Sequence, residues 1–226
     1  GIEGKPQDLR LPWVYAPAPQ NVIMREDAGI DSLAELNGVR LNPGIKGSAT
    51  ETTTEAVFQV LGIAPDYVRG STTDVVDAIK DNRLSGYVKS GSPTALDSST
   101  MDLSTATSIK VLGLSDEQAD KIRAEMPDIS VVDVKAGVAE GIPAYKTWSF
   151  GVGVAATSSM SNDTAYAIVD AVMSDETVQA NALAAVKGAD LAQITLEYGT
   201  VPLHPGALKW FEEHGHDVPA KLKPEM

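Results

Sequence analysis

The segment Asn42-Pro43-Gly44-Ile45-Lys46-Gly47-Ser48-Ala49-Thr50 follows a short apolar run and opens a helical pattern. The first amides of a helix lack intrahelical acceptors, and that end of the dipole is positive. Gly44 and Gly47 let backbone come close to a guest, and Ser48 and Thr50 add hydroxyls. The chemistry offered is a cradle for a carboxylate or other small anion. The same residues also describe an ordinary N-capped strand-to-helix connection, and the spacing alone leaves both readings open. The G-x-x-x-x-G-K-[ST] order of a nucleotide phosphate loop is absent.

A second candidate, Gly91-Ser92-Pro93, follows the apolar run at 86–89, with Pro93 expected to start the next helix. Both loops would then close neighbouring strands at their carboxyl ends, where open α/β sheets bind ligands. Lys46 and Lys89 flank the two loops, either to pair with a distal carboxylate or as solvated surface residues. Trp148, on the apolar run at 147–156, is either a ligand wall or core.

Catalytic patterns are poorly represented. No G-x-S-x-G elbow occurs, cysteine is absent, and the three histidines, His204, His214 and His216, all lie near the C-terminal end. Glu212, Glu213, His214 and His216 read as a solvated helix end rather than a metal site. The expectation is a binding protein and not an enzyme, with no cofactor and no metal. With 18 Lys and Arg against 31 Asp and Glu, the net charge is −13. That excess of acid opposes nucleic acid and anionic membrane surfaces as partners. No apolar run is long enough to span a bilayer, so no direct membrane insertion is expected. The chain opens on Gly1 with no basic segment leading into an apolar one, so an export signal is expected to have been removed.

The elements that must hold the two loops alternate in type. Strands are expected at 21–24, 39–41, 67–68, 86–89, 109–112, 129–134 and 147–156. Helices are expected at 31–36, 49–61, 73–81 and 115–125, with residues 98–108 as a Ser/Thr-rich loop. Beyond 157 only helices are expected, at 162–173, 176–186 and 205–214. The fold class is therefore α/β, with a sheet-bearing lobe first and a helical cover after it.

Several motifs resemble the TAXI family of TRAP transporter solute receptors. Residues 22–38 resemble the strand and helix that open that family's second lobe, and Gly47-Ser48-Ala49-Thr50 its G-S-G-T loop. Asp81-Asn82-Arg83-Leu84-Ser85-Gly86 and Gly91-Ser92-Pro93 resemble its D-G-x-x-D-A and G-x-P segments. Val201-Pro202-Leu203-His204-Pro205-Gly206-Ala207 matches its C-terminal V-P-L-H-P-G-A, followed by an amphipathic helix with Trp210 and Phe211. The resemblance implies a type 2 periplasmic-binding-protein fold. Residues 1–23 would end lobe I and cross over, 24–152 would form lobe II, and 153–226 would cross back as the helical part of lobe I.

It also implies an extracytoplasmic, periplasmic receptor for a small organic anion, glutamate or a dicarboxylate, that serves TRAP membrane permease subunits. Carried over, Gly47, Ser48, Ala49 and Thr50 hold the ligand carboxylate, Gly91, Ser92 and Pro93 line the cleft, and the 204–206 stretch is structural or permease-facing. Ala49 stands in place of a glycine, and Val138 in place of a tyrosine that contacts ligand in the family. Gly1 aligns inside the family pattern, so the expectation is a fragment or a shortened relative. If the shortening is natural, the alternative is a sensor or scaffold subunit that forms a homo-oligomer.

Overall fold

The computed structural model describes residues 8–175, 178–182 and 186–224. The chain divides into two compact units. One is Ala18–Phe150, and the other holds the described residues of Gly1–Pro17 and Gly151–Met226. The division falls within two long strands, β1 (Leu9–Arg25) and β7 (Tyr145–Thr157).

In the unit Ala18–Phe150, β2 (Arg40–Asn42), β3 (Asp66–Tyr67) and β4 (Gly86–Ser90) are parallel, and β1 joins the other edge of β4 antiparallel. The order is β3-β2-β4-β1, followed by β7 and then β6 (Ser130–Val134), while β5 (Ile109–Leu112) also pairs with β1. Strand periodicity sorts the side chains into two cores. Val22, Met24 and Val88 face one side with Val57, Phe58, Ala119 and Ile122. These come from α1 (Ala49–Leu61) and α4 (Asp116–Glu125). Ile23 and Tyr87 face the other side with Val75, Val76, Ile79 and Leu103. These come from α2 (Thr72–Lys80) and α3 (Ser98–Ala106). The result is a sheet covered on both faces by helices. Gly86 is required where β4 meets β1: a Cβ there would lie 2.2 Å from the carbonyl oxygen of Ile23.

Helix starts follow local chemistry. Ser48, Ser71 and Ser115 each accept from the amide three residues on, and Ser115 with Gln118 completes a capping box. Three expectations are corrected. Residues 98–108 are not a loop, because Asp97 accepts from the Ser99 and Thr100 amides and starts α3, which buries Thr100 and Leu103. Pro93 starts no helix: Ser92 closes the 92–95 turn on itself, accepting from the Ala95 amide at 3.0 Å. Residues 31–36 give only a 3-10 turn, Leu33–Leu36, since Glu35 bonds the Ser32 hydroxyl and Asp31 amide instead of extending a capped helix.

In the other unit, α5 (Asn162–Met173), α6 (Val178–Ala182), α7 (Leu191–Tyr198) and α8 (Pro205–Glu213) follow β7. Leu11 and Val14 of β1 pack with Val169, Ala192, Leu203 and Phe211. The expected helix at 176–186 lies partly outside the described residues, and α7 was not anticipated. α8 sits tightly on α5, since a Cβ at Gly206 would approach the Asn162 carbonyl oxygen to 2.1 Å. His204 caps α8. Its Nδ1 accepts from the Gly206 amide at 3.1 Å, which leaves Nε2 to donate to the Met160 carbonyl at 3.0 Å. No helix among the described residues is long and apolar enough to cross a membrane.

Candidate functional site

β2 and β4 are parallel neighbours, so the loops that leave them emerge at the same edge of the sheet. The first is the 43–48 connection to α1. Asn42 anchors it: its Nδ2 donates to the Val68 carbonyl at 2.8 Å and its Oδ1 accepts from the Gly44 amide at 3.1 Å. Gly44 has φ +135, and a Cβ there would lie 2.6 Å from the Glu51 nitrogen. Both facts confine that position to glycine.

At the start of α1 the donors are only partly free. The Ser48 hydroxyl accepts from the Glu51 amide at 3.1 Å, and the Ser48 amide donates to the Ile45 carbonyl at 2.9 Å. The Gly47 amide donates to the carboxylate of Glu51 at 2.6 Å. Glu51 also accepts from Arg69 Nε at 2.8 Å, and the other arm of Arg69 reaches Glu55. The chain thus supplies its own carboxylate to part of the predicted cradle. The Gly47 amide holds the Glu51 carboxyl below the usual carboxylate range. Burial opposes that shift, and Arg69 and the charge of Lys46 reinforce it. Among the described residues, the amides of Ala49 and Thr50 and the Thr50 hydroxyl have no protein partner. Lys46, Gly47 and Ala49 are exposed, and Ser48 and Thr50 half-buried.

The second loop follows β4. The Gly91 amide donates to the Pro19 carbonyl at 2.9 Å, and a Cβ at Gly91 would lie 2.6 Å from Asn21 Nδ2. Ser92 is committed to its own turn, and Pro93 is exposed. Val138 is buried beside this turn, its carbonyl accepting from the Leu96 amide at 3.4 Å. Lys89 points to the start of α2, where its Nζ donates to the Thr72 hydroxyl at 3.2 Å. Trp148 is fully buried in the core, edge-to-face with Phe58 at 5.8 Å.

Sequence reasoning passed over the polar residues beneath these loops. Among the described residues, four buried side-chain atoms lack a partner: Gln20 Oε1, Asn21 Nδ2, Thr54 Oγ1 and Trp148 Nε1. Asn21 is oriented by Tyr145, whose hydroxyl donates to Oδ1 at 2.6 Å and whose pKa is pushed up to about 12 by burial. Two carboxamides at the head of the apolar run 20–24 were the available signal. No signal of spacing joins Glu51 to Arg69, which reaches it from the far end of β3. Among the described residues no group of three or more His, Asp and Glu is placed to hold a metal ion.

Three solved structures illustrate the likenesses of this chain. The periplasmic aliphatic sulphonate binding protein SsuA from Escherichia coli is 12% identical, with 91% of this chain and 59% of that chain covered and a TM-score of 0.46. A TRAP periplasmic solute binding protein from Escherichia fergusonii is 11% identical, with coverages of 94% and 52% and a TM-score of 0.39. An ABC transporter periplasmic binding protein from Brucella ovis with glutathione bound is 18% identical, with coverages of 47% and 33% and a TM-score of 0.38. The chain therefore spans between 33% and 59% of the length of these proteins. Its sequence matches the NMT1-like family over residues 2–215. The chain belongs to the NMT1-like family.

Proposed function

We propose that this chain is an extracytoplasmic solute-binding subunit of a TRAP transporter, which captures a small organic anion, glutamate or a related dicarboxylate, and delivers it to membrane permease subunits. Residues 18–150 act as one lobe, and the segments on either side of them belong to the other. The protein binds its solute without chemical turnover and works in the periplasm.

One observation carries this reading. Among the described residues, the Ala49 and Thr50 amides and the Thr50 hydroxyl have no acceptor at the positive end of α1. They lie at the sheet edge that also carries Gly91, Ser92 and Pro93. A ligand carboxylate takes these donors, while Glu51 keeps the Gly47 amide and holds the loop in shape. Lys46 or Lys89 then meets a second carboxylate. A thermal-shift series with glutamate, 2-oxoglutarate and four-carbon diacids tests this. The stabilisation rises with ligand concentration, by about 2.7 kcal/mol at a hundred times the dissociation constant. A flat response to every organic anion overturns the proposal.

A further inference from the structure

The strand β5 has one bonded edge and one open edge. The Glu26 amide donates to the Ser108 carbonyl at 3.0 Å, which continues the register Arg25↔Ile109, Met24↔Lys110 and Val22↔Leu112. In an antiparallel pair the mutually bonded positions alternate. Residues 108, 110 and 112 therefore bond toward β1, and Ile109 and Val111 turn their N–H and C=O groups to the opposite edge. Just beyond, the Leu114 amide bonds the Lys146 carbonyl at 2.7 Å. Among the described residues no backbone or side-chain group bonds to Ile109 or Val111 there.

A groove runs beside this edge. Two clefts, about 900 and 760 Å³, share Asp31, Val111 and Pro143, and the segment from Ala139 to Pro143 forms the far wall of the second. Ile109 and Val111 line the clefts from one face of the strand and Leu112 and Leu114 from the other, and the charged residues lining the clefts are mostly acidic. Lys110 pairs with Asp31 and Lys146 with Asp116. Beyond those pairs the rim carries Glu26, Glu117, Asp133 and Glu140 against Lys121.

We propose that the open edge of β5 takes up an extended, cationic polypeptide segment as an added strand. Two outward-facing positions, Ile109 and Val111, match the two-residue repeat of a strand, and a partner that overlaps all of β5 needs about five residues, about 17 Å long. Backbone ladder bonds supply the attachment, and lysine or arginine on the partner answers the acidic rim. A second copy of this chain is the poorer occupant, because it would bring the same acidic rim and a net charge of −13.

The probe is a labelled, end-blocked heptapeptide of alternating lysine and valine, followed by fluorescence anisotropy with the whole chain. Saturable binding that weakens with salt is the expected result. The same peptide with alternate N-methylated amides keeps the charge and loses the ladder, so it binds about tenfold more weakly. Val111→Pro removes one outward N–H while leaving the bonds to β1, and edge strands tolerate proline at such a position. It weakens the unmodified peptide about fivefold with the melting temperature retained. Should that variant fail to fold, the exposed pair Asp133→Lys and Glu140→Lys gives a loss of similar size. Absent saturation, equal binding of the N-methylated peptide, or a dimer that blocks peptide binding and that Val111→Pro dissolves each overturns the proposal.

Discussion

Replacing Glu51 by glutamine probes the loop at the start of α1 without changing its shape. The wild-type carboxylate is mostly buried, with 11% of its side chain exposed, and accepts from the Gly47 amide at 2.6 Å and from Arg69 at 2.8 Å. Neutralising it turns a charge-assisted amide bond into a neutral one, a loss of about 1 kcal/mol. The ion pair adds little to this, because Arg69 is 43% exposed and keeps Glu55 as a partner. Glu51→Gln is therefore expected to destabilise the protein by about 1 kcal/mol at pH 7, a fall of about 2 to 4 °C in melting temperature. The folded-state pKa of Glu51 is lowered, so its contribution is present above the unfolded value and is lost as pH falls through the folded value. Melts followed by circular dichroism at pH 7 and at successively lower pH should show the two proteins converging as Glu51 in the wild type takes up its proton. A gap that stays constant with pH, or no gap at pH 7, would refute the claim that this carboxylate occupies the helix start.

Three further substitutions test the packing around the site. Gly86→Ala forces a Cβ to 2.2 Å from the Ile23 carbonyl oxygen. It should cost about 3 kcal/mol in denaturant unfolding, and a loss under about 1 kcal/mol would contradict the close β4–β1 approach. Thr54→Val deletes a buried hydroxyl that has no partner among the described residues. Stability should rise by up to about 1 kcal/mol, whereas a clear loss would reveal a partner for that hydroxyl. Asp97→Ala removes the α3 cap and the acceptor of the Ser99 and Thr100 amides, at about 1 to 2 kcal/mol. Hydrogen exchange should quicken first in α3, and uniform exchange along the chain would argue against a local cap.

The alternation of strands and helices in Ala18–Phe150 was legible because its signals are local. Ser48, Ser71 and Ser115 stand at helix starts, Gly62 ends α1 in a left-handed conformation, and Val75, Val76 and Ile79 share one face of α2. What depends on distant partners was not legible. β1 extends well before residue 21 although Pro12, Pro17 and Pro19 punctuate it, and proline reads locally as a break. α3 is rich in Ser and Thr, weak helix formers, and is fixed by Asp97 and by burial of Thr100 and Leu103. The two loops were legible as backbone donors at strand ends. The occupation of one of them by Glu51 had a local signal, the S-x-x-E spacing of Ser48 and Glu51, whereas its contact with Arg69, 18 residues further along the chain, had none.

The account rests on donors at the α1 start that remain available to an anion. Amide proton and nitrogen shifts, followed by NMR as glutamate or a four-carbon diacid is added, report on those donors directly. The account predicts saturating downfield shifts at Ala49 and Thr50, with Gly47 nearly unmoved because Glu51 holds its amide. Saturable ligand binding that leaves Ala49 and Thr50 unshifted would contradict it.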